Sequence, residues 1–170
     1  MKKPLVYPKY LEFLDKKLSA YAKLHKKHIY CKEGCSACCE NGDYPISQLE
    51  LECLMIGFAH VDNDKKKEIQ KNILNMKKGG ACPFLVDNKC SVYKYRPIIC
   101  RVHGLAYLTD DKKVKLPYCA KEGKNYSEVY DGEGITINPI VENLDTPQLL
   151  NDYDYGEIRN LYDWINDENV

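Results

Sequence analysis

Cys31-Lys32-Glu33-Gly34-Cys35-Ser36-Ala37-Cys38-Cys39 places four thiols within nine residues, and this stretch decides how the rest of the chain is read. No single helical or extended face buries four side chains at this spacing, so they are not ordinary core cysteines. Nine cysteines occur in the 170 residues, at positions 31, 35, 38, 39, 53, 82, 90, 100 and 119. The odd count argues against a disulfide framework, and so does the lack of an apolar run behind the charged start Met1-Lys2-Lys3. The expected compartment is the cytoplasm, where thiols stay reduced. Metal coordination remains. In Cys-x2-Cys and Cys-x3-Cys turns the chain reverses so that two sulfurs converge on one ion, with Gly34 giving the turn its freedom. The adjacent pair Cys38-Cys39 adds a constraint, because neighbouring side chains normally diverge. Either the pair serves two centres, or one member bridges or lies idle, or the local backbone is unusual.

A second group of thiols follows about forty residues later, in Cys82-Pro83-Phe84-Leu85-Val86-Asp87-Asn88-Lys89-Cys90 and Arg96-Pro97-Ile98-Ile99-Cys100-Arg101. Asp87-Asn88 reads as a turn between two short apolar runs, bringing Cys82 and Cys90 towards each other. Cys100 follows a Pro-started helical turn, and Cys119 is the last candidate. Cys53 differs: in Leu49-Glu50-Leu51-Glu52-Cys53-Leu54-Met55 it sits in an amphipathic helix, where a buried Cys acts as a small hydrophobe. Without it eight thiols remain, enough for two four-sulfur sites. Tetrahedral zinc and cubane iron-sulfur clusters each take four thiolates, so the count does not choose between them.

The joint pattern Cys31-x3-Cys35-x2-Cys38-Cys39, Cys82-Pro83-Phe84-Leu85 and Cys90-Ser91-Val92-Tyr93-x2-Arg96-Pro97-x2-Cys100-Arg101 resembles a bacterial cysteine-cluster family, called YkgJ-like and described as a zinc- or iron-chelating domain. The flagellin lysine N-methylases carry a similar cluster. The resemblance covers about residues 31 to 101. It implies chelation through Cys31, Cys35, Cys38, Cys39, Cys82, Cys90 and Cys100; Cys119 is added by counting, and His103 is an alternative to it as the completing ligand. It implies zinc or an iron-sulfur cluster as cofactor. Metal ions are the expected partners, with a protein partner as a further one.

Around these segments, residues 9 to 28 read as an amphipathic helix carrying Leu11, Leu14, Leu18 and Tyr21. Ser47-Gln48-Leu49-Glu50 has the form of a capping box opening a second helix that runs to Ala59. A third spans Asp64 to Lys77 before Gly79-Gly80. Leu105 to Leu108 and Val114 to Leu116 read as a hairpin, Thr146-Pro147 as the cap and first residue of a short helix, and Ile158, Leu161, Trp164 and Ile165 as a closing helix. Residues 123 to 157 are expected to be ordered only where their aromatics dock. The fold expected is mainly α with a small β-hairpin, a compact single domain over residues 1–170 with irregular metal-binding loops at helix ends, a core in 9–120 and an acidic extension in 121–170.

Lys+Arg and Asp+Glu number 25 each, but the charge is uneven: +6 over residues 1–28, +3 over 29–120 and −9 over 121–170. The basic first helix is therefore expected to face the acidic tail. A pI of 6.9 argues against nucleic-acid binding, and no window approaches the roughly 20 apolar residues of a membrane span. Arg96 and Arg101 are candidates to offset thiolate charge. His25, His28 and His60 are expected to be solvated, and His103 to be partly buried and bonded to a carbonyl. Tyr44, Tyr93, Tyr95, Tyr107 and Tyr118 are expected to shield the site with their hydroxyls in water.

Two chemistries follow from this pattern. Full sulfur ligation makes a structural centre without an open position. Against it stands an iron-sulfur-dependent protein lysine N-methyltransferase-like enzyme. Cys31-x3-Cys35-x2-Cys38 also matches the radical S-adenosylmethionine spacing, but the strand-helix alternation of that fold is missing around it.

Overall fold

A computed structural model describes residues 7–32 and 34–167. In chain order its elements are α1 (Tyr7–Leu24), α2 (Ala37–Glu40), β1 (Pro45–Ser47), α3 (Gln48–Ala59), α4 (Asn63–Leu74), β2 (Leu85–Val86), β3 (Lys89–Cys90), α5 (Ile98–Val102), β4 (Tyr107–Leu108), β5 (Val114–Lys115), α6 (Thr146–Leu149), β6 (Ile158–Asn160) and α7 (Leu161–Ile165), with single turns of 3-10 helix between them. The fold is mainly α with small antiparallel strand pairs, as expected. Contacts group the described residues into two units, one from 7–32 and 101–153 and the other from 34–100 and 154–167.

In the first unit α1 buries Tyr7, Leu11, Leu14 and Leu18, the stripe its 3.6-residue period requires. The helix begins at Tyr7 and stops at Leu24, short of the expected residue 28, and Lys26–His28 continue as a 3-10 turn. His25 turns inward there: it is buried, its Nδ1 lies 2.8 Å from the Tyr126 hydroxyl, and burial lowers its pKa. The solvated reading of His25 is thus corrected, and that of His28 too, since His28 is half-buried and stacks on Tyr126. Tyr126 is fully buried at a left-handed φ of 62°.

Lys17 and Tyr21 of α1 both bond to Glu142, one realised contact between the basic helix and the acidic stretch. The Arg101 side chain, wholly buried, pairs with Asp15 at 2.5 Å. Its charge is therefore matched by a carboxylate. Strands β4 and β5 form the expected hairpin, with Tyr107 opposite Lys115. Helix α6 starts one residue earlier than read: Asp145 is the cap and Thr146 the first helical residue.

The second unit is built on α3. Its capping box is complete, Ser47 accepting from the Glu50 N–H while the Glu50 carboxylate accepts from the Ser47 N–H and hydroxyl, both at 2.8 Å. The other oxygen of Glu50 accepts from the Ile98 N–H at 2.7 Å, so one carboxylate, 1% exposed, closes two helix starts. Helix α4 is capped by Asp62 and ends at Leu74, three residues before the expected end. Ile158 is a strand residue, contrary to the closing-helix reading: β6 pairs antiparallel with β1, Ile46 facing Arg159. This pairing was not visible locally, because each strand has three residues and its partner lies over a hundred positions away. Ile46, Leu51, Leu54, Ile69, Phe84, Val92, Leu161 and Trp164 form the core. The Trp164 indole N–H donates to the Ile46 carbonyl at 3.0 Å.

Replacing Glu50 by Ala removes three accepted hydrogen bonds from a buried site. We expect a loss of about 2–4 kcal/mol of stability in urea denaturation, from the lost cap and the stranded donors. A change under about 0.5 kcal/mol would show that water replaces the carboxylate.

Candidate metal centre

Cys38 and Cys39 occupy α2, in the second unit. Helical geometry turns successive side chains by about 100°, yet the two sulfurs lie only 4.0 Å apart. Two sulfurs bound at about 2.3 Å to one tetrahedral zinc are separated by roughly 3.8 Å. The pair therefore has the spacing of common ligands without an unusual backbone. The Tyr44 hydroxyl holds the segment by donating to the Cys38 carbonyl at 2.8 Å.

Cys82 is fixed to this pair through the backbone, its N–H donating to the Cys39 carbonyl at 2.8 Å. The approach depends on Gly42. A Cβ there would lie 2.5 Å from the Cys82 Cβ and 2.9 Å from the Cys39 carbonyl oxygen. Beyond Cys82 the chain forms the β2–β3 hairpin, with Leu85 opposite Cys90. Asp87 and Asn88 have φ of 51° and 58°, the two positive values of a tight hairpin turn, as their sequence predicts. Cys100 lies in α5, whose first N–H is held by Glu50.

The thiols respond to one another's charge. Cys38 is pulled down to about 6, chiefly by a hydrogen bond from Cys39, with help from backbone N–H groups and Arg96. Cys39 is pushed up because it gives that bond, because it is buried, and because charge on Cys38, Cys82 and Cys100 opposes its own. Burial, then Cys90 and Cys38, push Cys82 up to about 12. Burial also raises Cys100 well above its ordinary value, and Cys82, Cys90, Cys38 and Glu50 add to this. Five thiols from three chain segments, Cys38, Cys39, Cys82, Cys90 and Cys100, thus lie within mutual electrostatic reach.

The other four cysteines are Cys31, Cys35, Cys53 and Cys119. Cys35 is exposed, and Cys53 is buried in α3 as a core residue, as its sequence context suggests. Cys31 and Cys119 belong to the first unit, Cys31 exposed and Cys119 buried in the 3-10 turn Tyr118–Glu122. His103, in the same unit, packs edge-on against Tyr118, and burial lowers its pKa. None of the nine cysteines, all of them among the described residues, forms a disulfide.

A family model described as "Putative zinc- or iron-chelating domain", with the pattern name CxxCxxCC, matches residues 30–121. The chain belongs to that family. No curated protein and no solved structure matches it. The CxxCxxCC pattern name has two residues between its first and second cysteines, where this chain has three, Lys32-Glu33-Gly34. Gly34 takes φ +87°, a value glycine adopts at no steric cost, with open space around it.

The donor set fits the family's metals. Thiolate is the soft donor that zinc and iron-sulfur centres select, and Glu50, the carboxylate whose charge acts on Cys100, already accepts from three N–H and O–H donors. Among the described residues no three His, Cys, Asp or Glu side chains are grouped so as to hold an ion without adjustment. Of the tyrosines expected to shield the site, Tyr93 is 62% exposed and lies under the Arg96 guanidinium, 3.8 Å from its ring centre. The Tyr44 and Tyr107 hydroxyls are not in water but donate to the Cys38 carbonyl and to Asp145. The sequence gives no signal for Gly42, which acts through backbone geometry, and shows Glu50 as a helix cap but not as the carboxylate that holds α5.

Gly42→Ala forces Cys82 away from Cys39. We expect about 1–3 kcal/mol of lost stability together with weaker metal retention, measured by thermal denaturation and chelator competition.

In metal-free protein, Cys38 should react with iodoacetamide through a midpoint near pH 6, read by mass spectrometry of pulse-labelled peptides, while Cys82 stays unmodified at neutral pH. The folded value lies below the unfolded value of about 8.5. This thiolate therefore stabilises the fold fully above the unfolded value and ceases to do so as pH falls through about 6. Equal reactivity of Cys38 and Cys82 at pH 7 would contradict the assignment.

Proposed function

We propose that the chain is a thiolate metal chelator whose centre is built by Cys38, Cys39, Cys82, Cys90 and Cys100, with Cys31, Cys35 and Cys119 as the remaining members of the ligand set. The observation that supports this is the electrostatic reach shared by five thiols from α2, the segment leading through the β2–β3 hairpin, and α5: Cys38, Cys82 and Cys90 oppose the ionisation of their neighbours, while Cys39 hydrogen-bonds to Cys38. Bound zinc or iron supplies the positive charge that lets such thiols ionise together.

The chain's own residues do the positioning. Gly42 admits Cys82 beside Cys39, Glu50 holds the start of the Cys100 helix, Tyr44 anchors the Cys38 carbonyl, and Arg96 favours the Cys38 thiolate. An all-sulfur ligand set leaves no open position, which supports a structural or storage role over catalysis. The lysine-methylation reading gains no support from these contacts. Among the described residues no helix is long and apolar enough to cross a membrane.

The test is metal analysis of protein purified without air. We expect zinc, or iron with acid-labile sulfide, at one or more metal atoms per chain, and a fall in melting temperature when a chelator removes it. Cys38→Ser and Cys100→Ser should each lower metal content. Protein that carries no metal, takes none up and melts at the same temperature with or without chelator would overturn the proposal.

A further inference from the structure

Asn125 lies four residues beyond the end of the family match at residue 121, and its side chain is fully buried. Its amide uses all four of its hydrogen-bonding positions. The Oδ1 atom accepts from the N–H groups of Tyr30 at 2.8 Å and Cys31 at 3.1 Å. The Nδ2 atom donates to the Gly104 carbonyl at 3.0 Å and to the Cys31 sulfur, also at 3.0 Å. The pattern fixes the amide orientation, because a flipped group would point its NH2 at two N–H donors. One side chain therefore sets both the backbone and the sulfur of Cys31. Gly104 leaves room for this, since a Cβ there would lie 3.0 Å from Asn125 Nδ2 and 3.6 Å from the Cys31 sulfur.

A neutral thiol is a weak acceptor, so a fully buried amide N–H directed at one is poorly matched. A metal-bound thiolate is a strong acceptor, and outer hydrogen bonds of this kind orient a ligand and tune its metal. We infer that Asn125 is a positioning residue for Cys31 as a metal ligand, holding its sulfur in place through the Nδ2–H···S bond. This rests on the reading that Cys31 belongs to the ligand set.

Asn125→Asp separates the two halves of the contact. It keeps the oxygen that accepts from Tyr30 and Cys31 and replaces the donor facing the sulfur by an acceptor. The probe is Co2+ titrated into metal-free, reduced protein, read by chelator competition and by the sulfur-to-cobalt charge-transfer band. The titration covers the parent, Asn125→Asp, Cys31→Ser and the double variant. We expect Asn125→Asp to bind Co2+ about 10- to 100-fold more weakly with a displaced band, and to cost nothing further once Cys31 is Ser. An equal cost in both backgrounds, or none in the parent, would reduce Asn125 to a loop staple and overturn the inference while leaving chelation intact. If Cys31→Ser binds Co2+ as tightly as the parent with the same band, the premise fails instead. Should Asn125→Asp not fold, Gly104→Ala, which crowds Nδ2 from outside, takes its place in the same cycle.

Discussion

Two unit charges 4 Å apart repel by about 4 kcal/mol at the effective dielectric of a protein surface, and by more where water is excluded. Cys38 and Cys39 stand at this separation, and Cys82, Cys90 and Cys100 lie near enough to feel them. One ionised thiol is accommodated by a hydrogen bond from its neighbour and by Arg96, so Cys38 falls, while Cys39 rises as the donor of that bond and Cys82 and Cys100 rise chiefly through burial. Further ionisation requires positive charge beyond what these residues supply. Glu50 worsens the balance, and Arg101 is held by Asp15. A cation bound by the thiols resolves the repulsion that the fold itself creates, and this couples metal binding to stability.

That the fold creates the repulsion at all depends on backbone contacts rather than on sulfur. Cys82 is placed by a main-chain bond to Cys39, and the approach is possible only because position 42 lacks a side chain. Cys100 is placed by a carboxylate fifty residues away, which caps α3 and receives the first N–H of α5. Cys90 is placed by a two-residue turn whose positive φ values suit Asp and Asn. Each limb is thus set by a specific contact of its own backbone, two of them long-range in sequence, and thiols brought close in this way are partly pre-organised, so less ordering is left for the metal to impose.

How much of this the sequence revealed follows from the range of each interaction. The α1 stripe, the Ser47-Glu50 capping box, the Asp87-Asn88 turn and the core role of Cys53 are local and were readable. The pairing of β1 with β6 was not, because three-residue strands carry little periodicity and their register is a tertiary fact. The burial of His25 escaped for a related reason. A lysine-rich helix end looks solvated until a tyrosine from about a hundred residues away offers its hydroxyl. Glu50 was readable as a cap but not as the anchor of α5, and Asn125 gave no signal, since a single Asn in a Gly- and Asp-rich stretch looks like any loop residue.

The composition of the ligand set bears on both the ion and the role. Sulfur ligands disfavour magnesium and calcium, which take oxygen, and favour zinc and iron-sulfur centres. The adjacent pair sharpens the choice of geometry. Its 4.0 Å separation matches the edge of a zinc tetrahedron, so Cys38 and Cys39 can serve one ion. Three more thiols, Cys82, Cys90 and Cys100, lie within electrostatic reach of the pair, and in the proposed centre they would complete a sulfur ligand set without an oxygen or a water. The centre proposed above, closed by sulfur, would offer a substrate no place on the metal. Catalysis would require that one thiol leave, and Cys82 and Cys100, half-buried and desolvated, are thiols for which a free thiolate is unfavourable. The same desolvation that raises their pKa values therefore works against an open coordination position and in favour of a closed one.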